Sequence, residues 1–144
     1  MGTSYPEKTI QVPADTVQLE GVLALPEHAA GLVVFAHGSG SSRFSPRNNF
    51  VARTLRHAGI GTLLMDLLTE EEDAVYATRF DIDLLTARLL LATHWLQEQP
   101  DTQHLVIGYF GASTGAAAAL KAAAVVDSAL GACSVAYPLD RGWQ

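Results

Sequence analysis

The sequence predicts an α/β domain: a mostly parallel sheet with helices on both faces, opened by an antiparallel hairpin. Three observations carry this. Short, almost wholly apolar runs recur at residues 31–36, 61–67, 105–109 and 131–137, too short for helices and suited to buried strands. Between them lie stretches with helical apolar spacing. Ahead of them, two segments of alternating character flank a turn.

Residues 8–12 and 17–25 read as the first two strands, joined at Pro13-Ala14-Asp15, with Val17, Leu19, Gly21 and Leu23 on one face. Residues 31–36 form the next strand and leave through the glycine- and serine-rich segment His37-Gly38-Ser39-Gly40. Pro46 is suited to open a helix running to about Ala58, with Phe50, Val51, Leu55 and Ala58 as its apolar stripe and Gly59 as its stop. Residues 61–67 supply a buried strand that ends near Asp66. Glu70, Glu71, Glu72 and Asp73 read as an acidic loop. A helix follows from about Asp81 to Gln97, with Leu85, Leu89, Ala92 and Leu96 at helical spacing and Asp81 and Asp83 at its positive end. Pro100 closes it, residues 105–109 return as a strand, residues 113–126 make an alanine-rich helix, and residues 131–137 make one further strand.

With 144 residues, 49% of them hydrophobic and 17% charged, the chain is expected to be one globular domain, residues 1–144, without repeats or a linker. A net charge of −6 leaves no basic footprint, so nucleic acid and anionic membranes are not expected partners. One cysteine, Cys133, excludes an internal disulfide and a cysteine-built zinc site, and it reads as a small core residue. No N-terminal apolar segment or membrane-length run is present, so a cytoplasmic protein is expected.

Gly111-Ala112-Ser113-Thr114-Gly115 lies between a predicted strand and a predicted helix, where a nucleophile elbow belongs. A serine hydroxyl is a poor nucleophile at neutral pH, so it must be exposed on a strained turn and flanked by residues too small to block a substrate, here Gly111 and Gly115. The Thr114 N–H, at the start of the helix, is a candidate oxyanion donor. A second donor is expected from Ser39 or Gly38, in the turn at the end of an earlier strand.

The segments VVFAHGSGSSRFSPRNNFVARTL, LLMDLLTEEE, RFDIDLL and LVIGYFGASTGAAAAL resemble small bacterial α/β-hydrolases of the dienelactone-hydrolase-like family, over residue 9 to about residue 126. The resemblance implies a serine nucleophile at Ser113, an oxyanion hole near Ser39 and Thr114, no cofactor, and ester or related acyl substrates. It also implies an acid after the next strand and a histidine near the C-terminus, on two further strands and a final helix that this sequence does not contain. All five histidines precede Ser113. His28 and His104 are expected in loops, and His57 and His94 on helices facing solvent. His37 stands as a substitute base or, as in the family, as a residue that shapes the oxyanion turn. Asp127 and Asp140 follow Ser113 but read as loop or helix-end charges.

Arg43 is a candidate for binding a substrate carboxylate through its planar guanidinium, with a structural or solvated arginine as the alternative. The acidic run 70–73 reads as solvated, and no metal is assigned. Three functions are therefore in view. The first is a serine hydrolase acting on acyl esters or lactones. The second is a catalytically inactive, C-terminally truncated remnant that self-associates, forming a homodimer through the edge strand at 131–137. The third is a dinucleotide-binding module, from Gly38 and Gly40 after one strand and Asp66 at the end of the next, although Arg43 stands where the third glycine belongs.

Overall fold

The computed structural model describes residues 6–37, 42–126 and 133–137. The two N-terminal strands are β1 (Glu7–Ala14) and β2 (Val17–Ala24), antiparallel in a register that sets Ala14 opposite Val17. The turn lies at Asp15 and Thr16, two residues later than Pro13 suggested. Pro13 sits within β1 opposite Gln18, where an outermost strand tolerates the missing N–H, and Asp15 supplies the left-handed backbone with φ of 54°.

The remaining strands are β3 (Gly31–Ala36), β4 (Gly61–Met65), β5 (Val106–Ala112) and β6 (Cys133–Tyr137). They assemble with β1 and β2 in the order β1-β2-β4-β3-β5-β6. β2 meets β4 antiparallel, whereas β3 runs parallel to both β4 and β5, and β6 parallel to β5. This is the mixed, mostly parallel sheet that the sequence predicts.

Strand alternation sends side chains to two helical layers. On one face Leu32, Val34, Leu63, Met65, Ile107 and Tyr109 pack against α3 (Ile82–Glu98) and α4 (Thr114–Val125). On the other, Phe35, Leu64 and Phe110 receive Ala52, Val51 and Leu55 of α1 (Pro46–His57). The Phe35 and Phe110 rings lie 5.2 Å apart in a tilted pair.

Helix ends follow the local chemistry. The Ser45 hydroxyl caps α1 by accepting from the Asn48 N–H, Pro46 opens it, and Gly59, with φ of 85°, lets the chain turn out. Asp81 caps α3 by accepting from the Leu84 N–H. The stripe predicted for α3 is correct, since Leu85, Leu89, Ala92 and Leu96 are all buried. That of α1 holds at Val51 and Leu55, which pack against the second cluster, but Asn48 and Ala52 are its buried residues and Phe50 and Ala58 are exposed.

The acidic run also departs from the expected loop. Glu70–Asp73 forms a one-turn helix, α2, with a complete capping box: the Thr69 hydroxyl accepts from the Glu72 N–H, and the Glu72 carboxylate accepts from the Thr69 N–H. A 3₁₀ turn, Tyr76–Phe80, links α2 to α3.

Candidate active site

Ser113 stands between the end of β5 and the first residue of α4, with φ of 59° and ψ of −129°. A non-glycine residue in this region costs of order 1–3 kcal/mol, and such strain persists only where the surroundings enforce it. Its carbonyl accepts from the Ala116 and Ala117 N–H groups, so the backbone enters the helix immediately.

The flanking glycines are steric requirements. A Cβ on Gly111 would fall on the Gly115 carbonyl group and lie 2.9 Å from the Ala116 nitrogen. One on Gly115 would collide with the Ala36 carbonyl oxygen and lie 2.8 Å from that of His37. The first contact is the tight strand-to-helix turn itself, and the second presses α4 against the exit of β3. Since Ala36 is also the register partner of Gly111, the Ser113 turn and the start of the His37 turn are neighbours across one sheet edge.

Thr114 opens α4, so its N–H is among the first helical donors, which have no intrahelical acceptor. Its hydroxyl oxygen is buried and has no hydrogen-bond partner among the described residues. Gly38, Ser39 and Gly40, and also Asp127 and Asp140, lie outside the described residues.

His37 is buried, and its Nε2 accepts a 2.8 Å hydrogen bond from the Leu67 N–H. A lone pair directed at Leu67 is not directed at Ser113, so this orientation favours shaping the turn over acting as base. The other four histidines are exposed, His28 and His104 in connections and His57 and His94 on α1 and α3. His28 and His104 border a cavity of about 400 Å³ with Asp101, at the end of the sheet where β3 and β5 begin.

On the far side of residues 38–41, the Arg43 N–H donates to Asp66 at 2.7 Å, and its guanidinium pairs with Asp66 and, at 3.0 Å, with Glu20. It also lies 4.4 Å from the centre of the Phe44 ring. These partners favour the structural alternative for Arg43 over a substrate carboxylate, and they occupy the Asp66 carboxylate that a dinucleotide site would leave for a ribose.

Sequence reasoning missed Arg88. It lies on the buried face of α3, donating from Nη1 to the Leu67 carbonyl at 3.1 Å and pairing with Glu72 through both nitrogens at 2.9 and 2.7 Å. The guanidinium holds the Glu72 carboxyl at about 2, well below the usual carboxylate range, with the Thr69 N–H helping and partial burial opposing. Two signals pointed here: an arginine inside a leucine stripe, and the T-x-x-E spacing of a capping box.

Comparison with known proteins bears on this geometry. A dienelactone hydrolase from Anabaena variabilis is 50% identical and superposes with a TM-score of 0.83 over 93% of this chain. The chain has a dienelactone-hydrolase-like α/β-hydrolase fold. It spans 62% of that hydrolase's length. An α/β-hydrolase from a Penicillium species, GrgF, shares the fold at a TM-score of 0.73 and 22% identity, over 93% of this chain and 46% of its own. Est1E from Butyrivibrio proteoclasticus does so at 0.67 and 18%, over 81% and 45%. No family model matches the chain. Two Mycobacterium tuberculosis relatives, from different strains, are 58% identical over 118 residues and bear the name "Putative phosphoribosyl transferase". The match covers 82% of this chain but 27% of theirs. No helix among the described residues is long and apolar enough to cross a membrane.

Proposed function

We propose that this chain is a serine hydrolase, a carboxylesterase or dienelactone-hydrolase-like enzyme acting on acyl esters or lactones through Ser113. The observation that carries the reading is the Ser113 backbone, held at φ of 59° between β5 and α4 by two glycines whose Cβ positions are filled by backbone. In the reaction, Ser113 Oγ attacks the acyl carbon and yields its proton to a base. The developing oxyanion is met by the Thr114 N–H and by Ser39 or Gly38. The ester C–O bond breaks, the leaving alkoxide takes up a proton, and water then frees the acid from the acyl-enzyme. His37, directed at Leu67, contributes to the shape of the oxyanion turn. Arg43 braces the other stem of that turn.

The phosphoribosyl transferase name is not carried over. The matched part is 27% of those relatives, whereas the hydrolase neighbour is 50% identical across 93% of this chain, and it is the hydrolase likeness that agrees with the Ser113 turn. Hydrolysis of p-nitrophenyl acetate by the purified protein and by Ser113→Ala tests the proposal. Turnover lost in a folded Ser113→Ala supports it, and turnover equal in both removes Ser113 from the mechanism.

A second reading, self-association, has one observation in its favour: β6 is the outermost strand of the described sheet, beside β5. Sedimentation velocity across protein concentration tests it, with a concentration-independent monomer as the contrary result.

A further inference from the structure

Beyond Met65 the chain has left the sheet, and its backbone groups need other partners. Asp66 still donates its N–H to the Glu20 carbonyl, the last bond of the ladder. At Leu67 both main-chain groups are taken up by buried side chains, the N–H by His37 Nε2 and the carbonyl by Arg88 Nη1. The stems on either side of residues 38–41 are thus tied to two consecutive residues: His37 to Leu67, and Arg43 to Asp66. Whatever fixes the β4 exit fixes where both stems stand.

Arg88 fixes it from beneath. Its fork is held by both Glu72 oxygens, and Glu72 is locked in turn by its reciprocal bonds with Thr69, so residues 67–72 are fastened to α3 through one guanidinium. A partly buried ion pair is a modest source of stability, because desolvation and solvent screening offset much of the attraction. Its more specific effect is to permit one placement of the Leu67 carbonyl and hence of the N–H that orients His37. The His37 carbonyl in turn lies against Gly115, two residues from Ser113.

We infer that Arg88 is a positioning residue, which sets the Leu67 backbone and through it the orientation of His37, whose carbonyl lies against Gly115 near Ser113. As a statement about acyl chemistry this rests on the function proposed above. A lysine at 88 keeps the charge but cannot bond Glu72 through two nitrogens and the Leu67 carbonyl together.

The test compares wild type, Arg88→Lys and Glu72→Gln, each confirmed folded by circular dichroism. Two readouts are taken: the amide exchange rate of Leu67 with the ring ¹⁵N shifts of His37 by NMR, and the rate of fluorophosphonate labelling per folded molecule. The expected result for Arg88→Lys is Leu67 exchange at least about tenfold faster, moved His37 ring signals, and labelling about tenfold slower, with Glu72→Gln intermediate. Unchanged Leu67 and His37 signals in folded Arg88→Lys overturn the inference. So does an unchanged labelling rate beside altered signals, which reduces Arg88 to a purely structural role. If wild type itself does not label, the serine hydrolase reading fails, and the NMR arm still decides whether Arg88 orients His37.

Discussion

Gly115→Ala isolates the contact between α4 and the β3 exit. In an ordinary helix the change would stabilise by about 1 kcal/mol, because alanine is the better helix former and restricts the unfolded chain. Here the new Cβ would sit 2.8 Å from the His37 carbonyl oxygen and closer still to that of Ala36, both of them backbone with no side chain to move aside. Relief requires α4 to withdraw by about 1 Å, and overpacking of this kind costs about 3 kcal/mol. Set against the propensity gain, the net loss is about 2 kcal/mol. With a urea slope of about 2 kcal/mol/M for a chain of this size, the unfolding midpoint should fall by about 1 M. Urea titration followed by far-ultraviolet circular dichroism measures it. A midpoint equal to or above wild type would refute the reasoning, since propensity and steric overlap predict opposite signs.

Two further outcomes follow from single groups. Glu72 has a folded pKa of about 2, below its unfolded value of 4.5, so its contribution to stability is complete above pH 4.5 and is lost as pH falls toward 2. The shift alone corresponds to about 3 kcal/mol, and solvent screening at a side chain 26% exposed reduces this to about 1–2 kcal/mol. Glu72→Gln should therefore flatten that part of the pH–stability curve in urea melts, and an unaltered slope would contradict the pairing with Arg88. Thr114→Val removes a buried hydroxyl that has no partner among the described residues, at nearly constant shape, and should raise the melting temperature by about 2–4 °C. A fall in calorimetric scans would mean that the hydroxyl is bonded in solution.

The fold was legible because its strands are short apolar runs that helices of ordinary length cannot use, and because glycine, proline and capping residues punctuate them. β3 is predicted to the residue, and its boundaries follow from Gly31 and the glycine-rich exit. The hairpin turn lies later than the Pro13-Ala14-Asp15 spacing predicts, because an outermost strand needs no N–H at Pro13. On α1, apolarity alone predicts Phe50 inward, but Asn48 fits the buried side and Phe50 is exposed. Four successive carboxylates concealed α2, since repulsion argues for a loop until Arg88 is known to receive Glu72. At the site, the strained serine and its glycines were visible as G-x-S-x-G. What Arg43 and His37 bond to was not, because Asp66, Glu20 and Leu67 come together only through the order of β2, β4 and β3.

The most direct test of an activated serine is intact mass after exposure to a fluorophosphonate, with Ser113→Ala in parallel and folding verified by circular dichroism. One adduct per chain, absent from Ser113→Ala, is the predicted result. A folded wild-type protein that takes up no label, or a label that survives in Ser113→Ala, would contradict the assignment of Ser113 as nucleophile.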